Sequence, residues 1–163
     1  MQMSLTSSPE DNLAALGLSL PQLPAPGGNY VSSKRVGAVV YLSGVISTGP
    51  DGIITGTAGI DRTVEEGYAA AAACALTQLA VLKRELGSLS SVIEIVTVNG
   101  YVNAAAGFAD SPAIINGASD LLVRVFGEAG RHVRAAVGVS ALPRNALVEL
   151  QMTVRISDRV AES

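Results

Sequence analysis

The stretch RAAVGVSALPRNALVELQMTVRI, residues 134–156, decides the fold. In its second half Val148, Leu150, Met152, Val154 and Ile156 take the even positions, with Glu149, Gln151, Thr153 and Arg155 between them. Such strict alternation marks a strand with one buried and one polar face, because successive side chains leave a pleated strand on opposite sides. In the first half Ala135, Val137, Val139 and Ala141 alternate with Arg134, Ala136, Gly138 and Ser140. Leu142-Pro143-Arg144-Asn145 has turn chemistry, so the two halves are expected to form an antiparallel hairpin. That pairing sets Glu149 opposite Gly138 or Ser140. Arg134 then lies roughly 13–20 Å along the neighbouring strand at about 3.4 Å per residue, on the same face as Glu149.

Upstream of this segment the period changes. Thr63 and Glu66 have capping-box spacing, Gly87 supplies a stop, and Val64, Tyr68, Ala71, Ala75, Leu79, Leu82 and Leu86 step by three or four. A long amphipathic helix is expected there. Ser111 as cap, Pro112 in the first turn and Gly130 beyond the end bracket a second helix with a stripe of Ile115, Ala118, Leu122, Val125 and Ala129. Between the two, Val92–Val102 reads as a long strand, and shorter strands are expected at Val39–Ser43 and Gly52–Thr57. Ser8, Pro9, Glu10 and Asp11 predict a short first helix ending near Gly17, followed by a proline- and glycine-rich loop over 21–28. The expected architecture is α+β in a single domain, 1–163. It comprises a lead-in over 1–28 and a core over 29–157, with two main helices on one face of a mixed sheet. The other face, with Arg134 and Glu149 among small residues, is expected to be an interface between copies.

Composition narrows the function. With 48% apolar and 15% charged residues the chain is not disordered, and a net charge of −3 gives no electrostatic reason to bind nucleic acid or an anionic membrane. The 4% aromatic content, without tryptophan, supplies no stacking platform for bases. Cys74 and His132 are the sole cysteine and histidine, so neither a disulfide nor a cysteine- or histidine-rich metal site is expected. Residues 1–12 have no apolar leader segment and no apolar run is long enough for a bilayer, so a cytoplasmic location is expected. Cys74 sits on an alanine-rich helical face and is expected in the core.

Arg134 to Glu149 carries a resemblance. An arginine, a Val-x-Val, a Leu-Pro turn and a Val-Glu pair follow one another as they do in the YjgF or Rid family of reactive intermediate deaminases. Tyr30 after Gly-Gly-Asn, Tyr41-Leu-Ser-Gly44 and Ile115-Asn116 add to it, and the similarity runs from about Gly27 to Ile156. The first helix and an insertion over 103–111 are similar to a subgroup of unassigned substrate. The resemblance implies a chorismate-mutase-like α+β fold, a homotrimer with clefts between subunits, and a small carboxylate-bearing metabolite as ligand. It implies hydrolysis of an enamine or imine to a 2-keto acid and ammonia, with no metal and no cofactor. By position Arg134 would hold the substrate carboxylate and Glu149 would position the attacking water. Tyr30, Ser43, Gly44, Asn116 and Ala136 would line the cleft.

These residue types suit that chemistry. A guanidinium grips a carboxylate through two parallel charge-assisted bonds, and a carboxylate can accept a proton from water as it attacks. An ion pair would equally account for either residue, and Tyr30 and Asn116 would serve as well as a plain interface aromatic and a local helix bond. Ala136 stands where many deaminating members carry Cys, Ser or Thr, Gly138 and Gln151 replace commonly acidic positions, and Val45 stands where Gln is frequent. His132 precedes the arginine where Pro-x-Arg is common, and a loop role is expected for it. A non-catalytic binding or sensing protein for small carboxylates is the alternative. Ribonuclease or translation-inhibitor activity is disfavoured by the charge and by the lack of a histidine placed as a general base.

Overall fold

The protein, a computed structural model, is described over residues 7–158. The part of the leader-segment expectation that falls on residues 1–6 lies outside them. Helix α1 (Pro9–Ala15) starts as the sequence predicts: Ser8 accepts from the Asp11 N–H, and the Asp11 carboxylate accepts in turn from the Ser8 N–H. Asn12 donates to the Val125 carbonyl (2.8 Å), and Glu10 gathers the Leu89 N–H (2.7 Å), Lys83 (3.1 Å) and Ser88 (3.2 Å). Burial alone would raise the Glu10 carboxyl. The bonds from Leu89 and Lys83 outweigh it and hold the group below the usual range.

The long helix, α2, runs Val64–Leu86 and the second, α3, Ser111–Phe126. Thr63 caps α2 by accepting from the Glu66 N–H, but the Glu66 carboxylate pairs with Arg62 (3.3 Å), so only half of the expected capping box forms. Ser111 is the first residue of α3 rather than its cap; Asp110 occupies the cap position. The helix ends at Gly127, with φ +61°, and Gly127–Gly130 continues as a 3₁₀ turn, three residues earlier than the sequence signal implies.

The strands are β1 (Ser33–Val36), β2 (Val39–Leu42), β3 (Val45–Ile46), β6 (Val92–Asn103), β7 (Val133–Val139) and β8 (Val148–Ile156), with β4 (Thr48–Gly49) and β5 (Gly52–Ile53) forming a separate two-residue ladder. The strand expected over Gly52–Thr57 is thus cut to β5; Thr55 makes only an isolated bridge to Ala146. The main sheet has the order β1-β2-β8-β6-β7, with β3 also on β8. It is mixed: β7 lies parallel to β6 through the α3 crossover, and the other pairs are antiparallel.

This order corrects the hairpin. β7 and β8 run in opposite directions as expected, but β6 lies between them. The 142–145 turn therefore crosses the end of β6, and Arg144 and Asn145 take left-handed φ values of 56° and 57° to do so. Glu149 stands opposite Tyr101 of β6 and Ile46 of β3, and Arg134 opposite Val98. The even positions of β8 are buried beneath the helices as the alternation requires.

The core lies between the sheet and α2 and α3, with Leu79, Leu82, Ile114, Ile115, Leu122, Leu150 and Met152 fully buried. Cys74 is buried within it as expected. Glycines set the spacing of the layers. A Cβ at Gly100 would run into the Ile115 side chain, and one at Gly117 into the Tyr68 carbonyl, so α3 approaches both β6 and α2 through bare backbone. No helix among the described residues is long and apolar enough to cross a membrane.

Candidate functional site

Arg134 lies on β7, the edge strand beside α3. The even positions of β7 face the helices: Ala136 packs against the core, and a Cβ on Gly138 would stand 3.4 Å from the Ser111 hydroxyl. The odd positions face the open side, leaving Val133 at 67% and Val137 at 46% exposure. The alternation in β7 is therefore as the sequence has it, with the faces exchanged. Small residues at 136 and 138 make room for α3.

On the helix side the Arg134 guanidinium is held at three points. Its Nη1 donates to Asn116 Oδ1 (2.8 Å) and Ser119 Oγ (3.0 Å), and its Nη2 to the Pro112 carbonyl (3.3 Å). All three acceptors lie on α3, between Pro112 and Ser119. Of five N–H donors, these bonds use three, so Nε–H and one Nη2–H are left for a ligand. The side chain remains exposed to solvent. The Ser119 hydroxyl also meets His132 Nε2 (2.9 Å), and His132 Nδ1 meets the Gly130 carbonyl (2.7 Å). Burial lowers the His132 pKa, the Gly130 bond opposes that, and the Arg134 charge lowers it further.

Glu149 belongs to the opposite face. Register places Ile46, Glu149, Tyr101 and Val137 in one row across the open side, Gln151, Asn99 and Ala135 in the next, and Tyr41, Thr153, Thr97 and Val133 beyond. Glu149 is half-buried, and burial pushes its carboxyl pKa up. Gly44 is its near neighbour: a Cβ there would stand 3.3 Å from the carboxyl group.

That proximity comes from a bulge. Tyr41 pairs with Thr153 and Val45 with Leu150, so four steps along the β2–β3 chain match three along β8. The Gln78 amide of α2 spans the gap, donating to the Ser43 carbonyl (3.0 Å) and the Leu150 carbonyl (2.9 Å), while its Oε1 is buried without a partner among the described residues. Gln78→Leu should leave two buried carbonyls unmatched and destabilise the fold by about 1–3 kcal/mol. Urea unfolding checks this; an unchanged midpoint would show that the bulge holds itself.

Arg134 and Glu149 of one chain are thus not on one face, as the hairpin implied, but on opposite faces of the sheet. They are three positions out of register, with β6 between them. Of the cleft-lining candidates, the structure brings Asn116 and Ala136 to Arg134, and Gly44 to Glu149. Asn116 bonds the guanidinium itself rather than its own helix. Ala136 sits two positions beyond Arg134 on the same strand face. Ser43 donates its hydroxyl to the Val31 carbonyl (2.6 Å). Tyr30, 53% exposed, folds over Gly28 with its hydroxyl accepting from the Gly27 N–H (3.3 Å) and joins neither group.

Sequence reasoning left Ser119, Gln78 and Tyr101 aside and gave His132 only a loop role. Ser119 had a signal, one α3 position short of a full turn after Asn116, and so on the same side of the helix. Gln78 had one too, a polar residue inside an apolar stripe.

Residues 10–155 match the family described as "YjgF/chorismate_mutase-like, putative endoribonuclease", and the chain belongs to it. The chain is 42% identical to Protein TCP17 of Trypanosoma cruzi over 149 residues, covering 90% of this chain and 93% of that one. It is 30% identical over 141 residues to the 2-iminobutanoate/2-iminopropanoate deaminase of Dermatophagoides farinae, with 85% and 94% covered. A crystal structure from Agrobacterium tumefaciens, of a protein of unknown function, superposes with a TM-score of 0.84 at 39% identity over 91% of each chain. The expected YjgF/Rid membership and chorismate-mutase-like α+β fold therefore stand.

Proposed function

We propose that the protein hydrolyses small enamines or imines bearing a carboxylate to 2-keto acids and ammonia, in clefts between copies of a homotrimer. The observation that carries this reading is the Arg134 guanidinium, braced by three acceptors at the sheet edge with two donors to spare. Those donors hold the substrate carboxylate. Glu149 of an adjacent copy takes a proton from water as its oxygen adds to the imine carbon. The resulting carbinolamine expels ammonia, its nitrogen taking up protons, and leaves the ketone. The reaction consumes one water and changes no oxidation state, so the proposal includes no cofactor. A cytoplasmic location, where pyridoxal-phosphate enzymes release such intermediates, belongs to the same reading. For the deaminase activity, support beyond the residues is the name of the Dermatophagoides farinae relative.

A second reading, binding or sensing of a small carboxylate without turnover, is favoured by Ala136, whose methyl brings no functional group to the arginine's side. The ribonuclease reading is weakened by His132, whose two ring nitrogens are both engaged within the fold.

The test generates 2-iminopropanoate in situ from alanine with an amino-acid oxidase and follows its decay against the uncatalysed rate. As the base, Glu149 works ionised. Burial raises its pKa, so kcat should fall on acidification at a pH above the ordinary glutamate range. Glu149→Gln should lose that limb and at least about tenfold in kcat. Catalysis that survives the substitution intact would remove Glu149 from the mechanism, and no catalysis in the wild type, with pyruvate still bound, would favour the second reading.

A further inference from the structure

The chain of bonds behind Arg134 has a fixed direction. The Gly130 carbonyl can only accept, so His132 Nδ1 carries a proton. In the neutral ring Nε2 is then an acceptor, and the Ser119 hydroxyl must donate to it. With its proton committed, Ser119 Oγ presents lone pairs to Arg134 Nη1. Each bond dictates the next, from the turn after α3 to the guanidinium.

We infer that Ser119 and His132 are positioning residues for the carboxylate-binding arginine: neutral His132 orients the Ser119 hydroxyl, and Ser119 with Asn116 locks the guanidinium with its remaining donors turned outward. The inference rests on the proposed role of Arg134 and adds what holds it in place. Without Ser119, Nη1 would keep only Asn116 and Nη2 only the long bond to the Pro112 carbonyl (3.3 Å), a looser hold on the group.

Protonating His132 breaks the lock. Nε2 becomes a donor, so Ser119 Oγ receives two cationic N–H groups while its own proton loses its acceptor. The charged groups around His132 do not offer it a replacement anion. Arg134 is cationic, Arg131 pairs with Glu128 (3.2 Å), and Glu94, which shares a shallow depression with Arg131 and His132, is held by Arg155 (2.9 Å). Asp120, next to Ser119 on α3, accepts the Tyr68 hydroxyl (2.6 Å). Burial and Arg134 lower the His132 pKa, so the lock should hold at neutral pH and open only on acidification past the ordinary histidine range.

The experiment reads the arginine without a ligand and with pyruvate as the probe. In the intact oligomer, nitrogen-15 NMR should show a slowly rotating, dispersed Arg134 side-chain signal. That signal should collapse toward free-arginine behaviour in Ser119→Ala and in wild type as pH falls through the His132 titration, and persist in Ser119→Thr. Carbon-13 shifts of the ring should report the Nδ1–H tautomer. Pyruvate affinity at neutral pH should drop about three- to tenfold in Ser119→Ala, the net worth of one ordinary hydrogen bond rather than of the whole charge-assisted grip. For the imine the change should fall on KM more than kcat. An Arg134 signal equally ordered in Ser119→Ala, or an Nε2–H tautomer, overturns the inference. If the wild-type lock is present yet pyruvate does not bind, the proposed function fails and the positioning chain stands.

Discussion

Arg134→Ala should cut affinity for pyruvate, and turnover of 2-iminopropanoate, at least about tenfold, as loss of a charge-assisted carboxylate grip worth roughly 1.5–3 kcal/mol requires. The fold should survive. Arg134 is exposed at a sheet edge, and what it leaves behind are Asn116, Ser119 and the Pro112 carbonyl at the surface, where water can replace it. Isothermal titration with pyruvate alongside a thermal melt separates the two effects. Unchanged binding in an intact protein would take the arginine out of the site.

Mixed oligomers should recover activity that neither parent has. Within one chain Arg134 and Glu149 lie on opposite faces, two strand spacings apart and three positions out of register. At about 3.4 Å per residue and about 4.8 Å per strand this is roughly 14 Å, too far for one small acid. A cleft holding both must draw them from two copies. Arg134→Ala and Glu149→Ala proteins, unfolded together and reassembled, would form trimers in which every mixed ring has one cleft with both residues intact. Random mixing in equal amounts then gives about a quarter of wild-type activity in a closed three-fold ring. Light scattering checks the ring; mixed trimers that stay at the inactive baseline, while wild type recovers through the same treatment, would exclude the shared cleft.

The parts of this structure that could be read in the sequence are those governed by local chemistry. Ser8-Pro9 and Thr63 start their helices because their side chains satisfy backbone donors a few residues away. The stripe from Ala71 to Leu82 and the even positions of β8 are buried because apolar periodicity admits one inward face. The pairing of β7 was not legible. A turn says that the chain reverses, not how many strands it steps over, and in 135–138 both faces carry only Ala, Val and Gly, so composition cannot choose which goes inward. The same ambiguity hid the site. With Arg134 assigned to the open face, Asn116 could be suspected only from the resemblance, and Ser119 and His132 had no visible link to the arginine, although all three lie within 18 residues of it. Glu149 was legible, since the alternation of β8 leaves it one face to occupy.

The strand order also governs how the chain assembles. β8 joins β2 and β3 to β6, yet it follows all of them in the chain. The β6–α3–β7 unit closes through one short crossover, whereas Val40 and Val154 must meet across 113 intervening residues. Loop-closure entropy rises with such separation, so the crossover unit is the cheaper nucleus and the β1–β2 pair docks late. During synthesis residues 33–147 emerge with a gap where the middle strand belongs, and β2 and β6 expose the edges that β8 will fill. Until residue 156 clears the ribosome, the nascent protein carries two unpaired β-edges beside an apolar layer, the state in which chaperone capture or mispairing with another copy competes with folding.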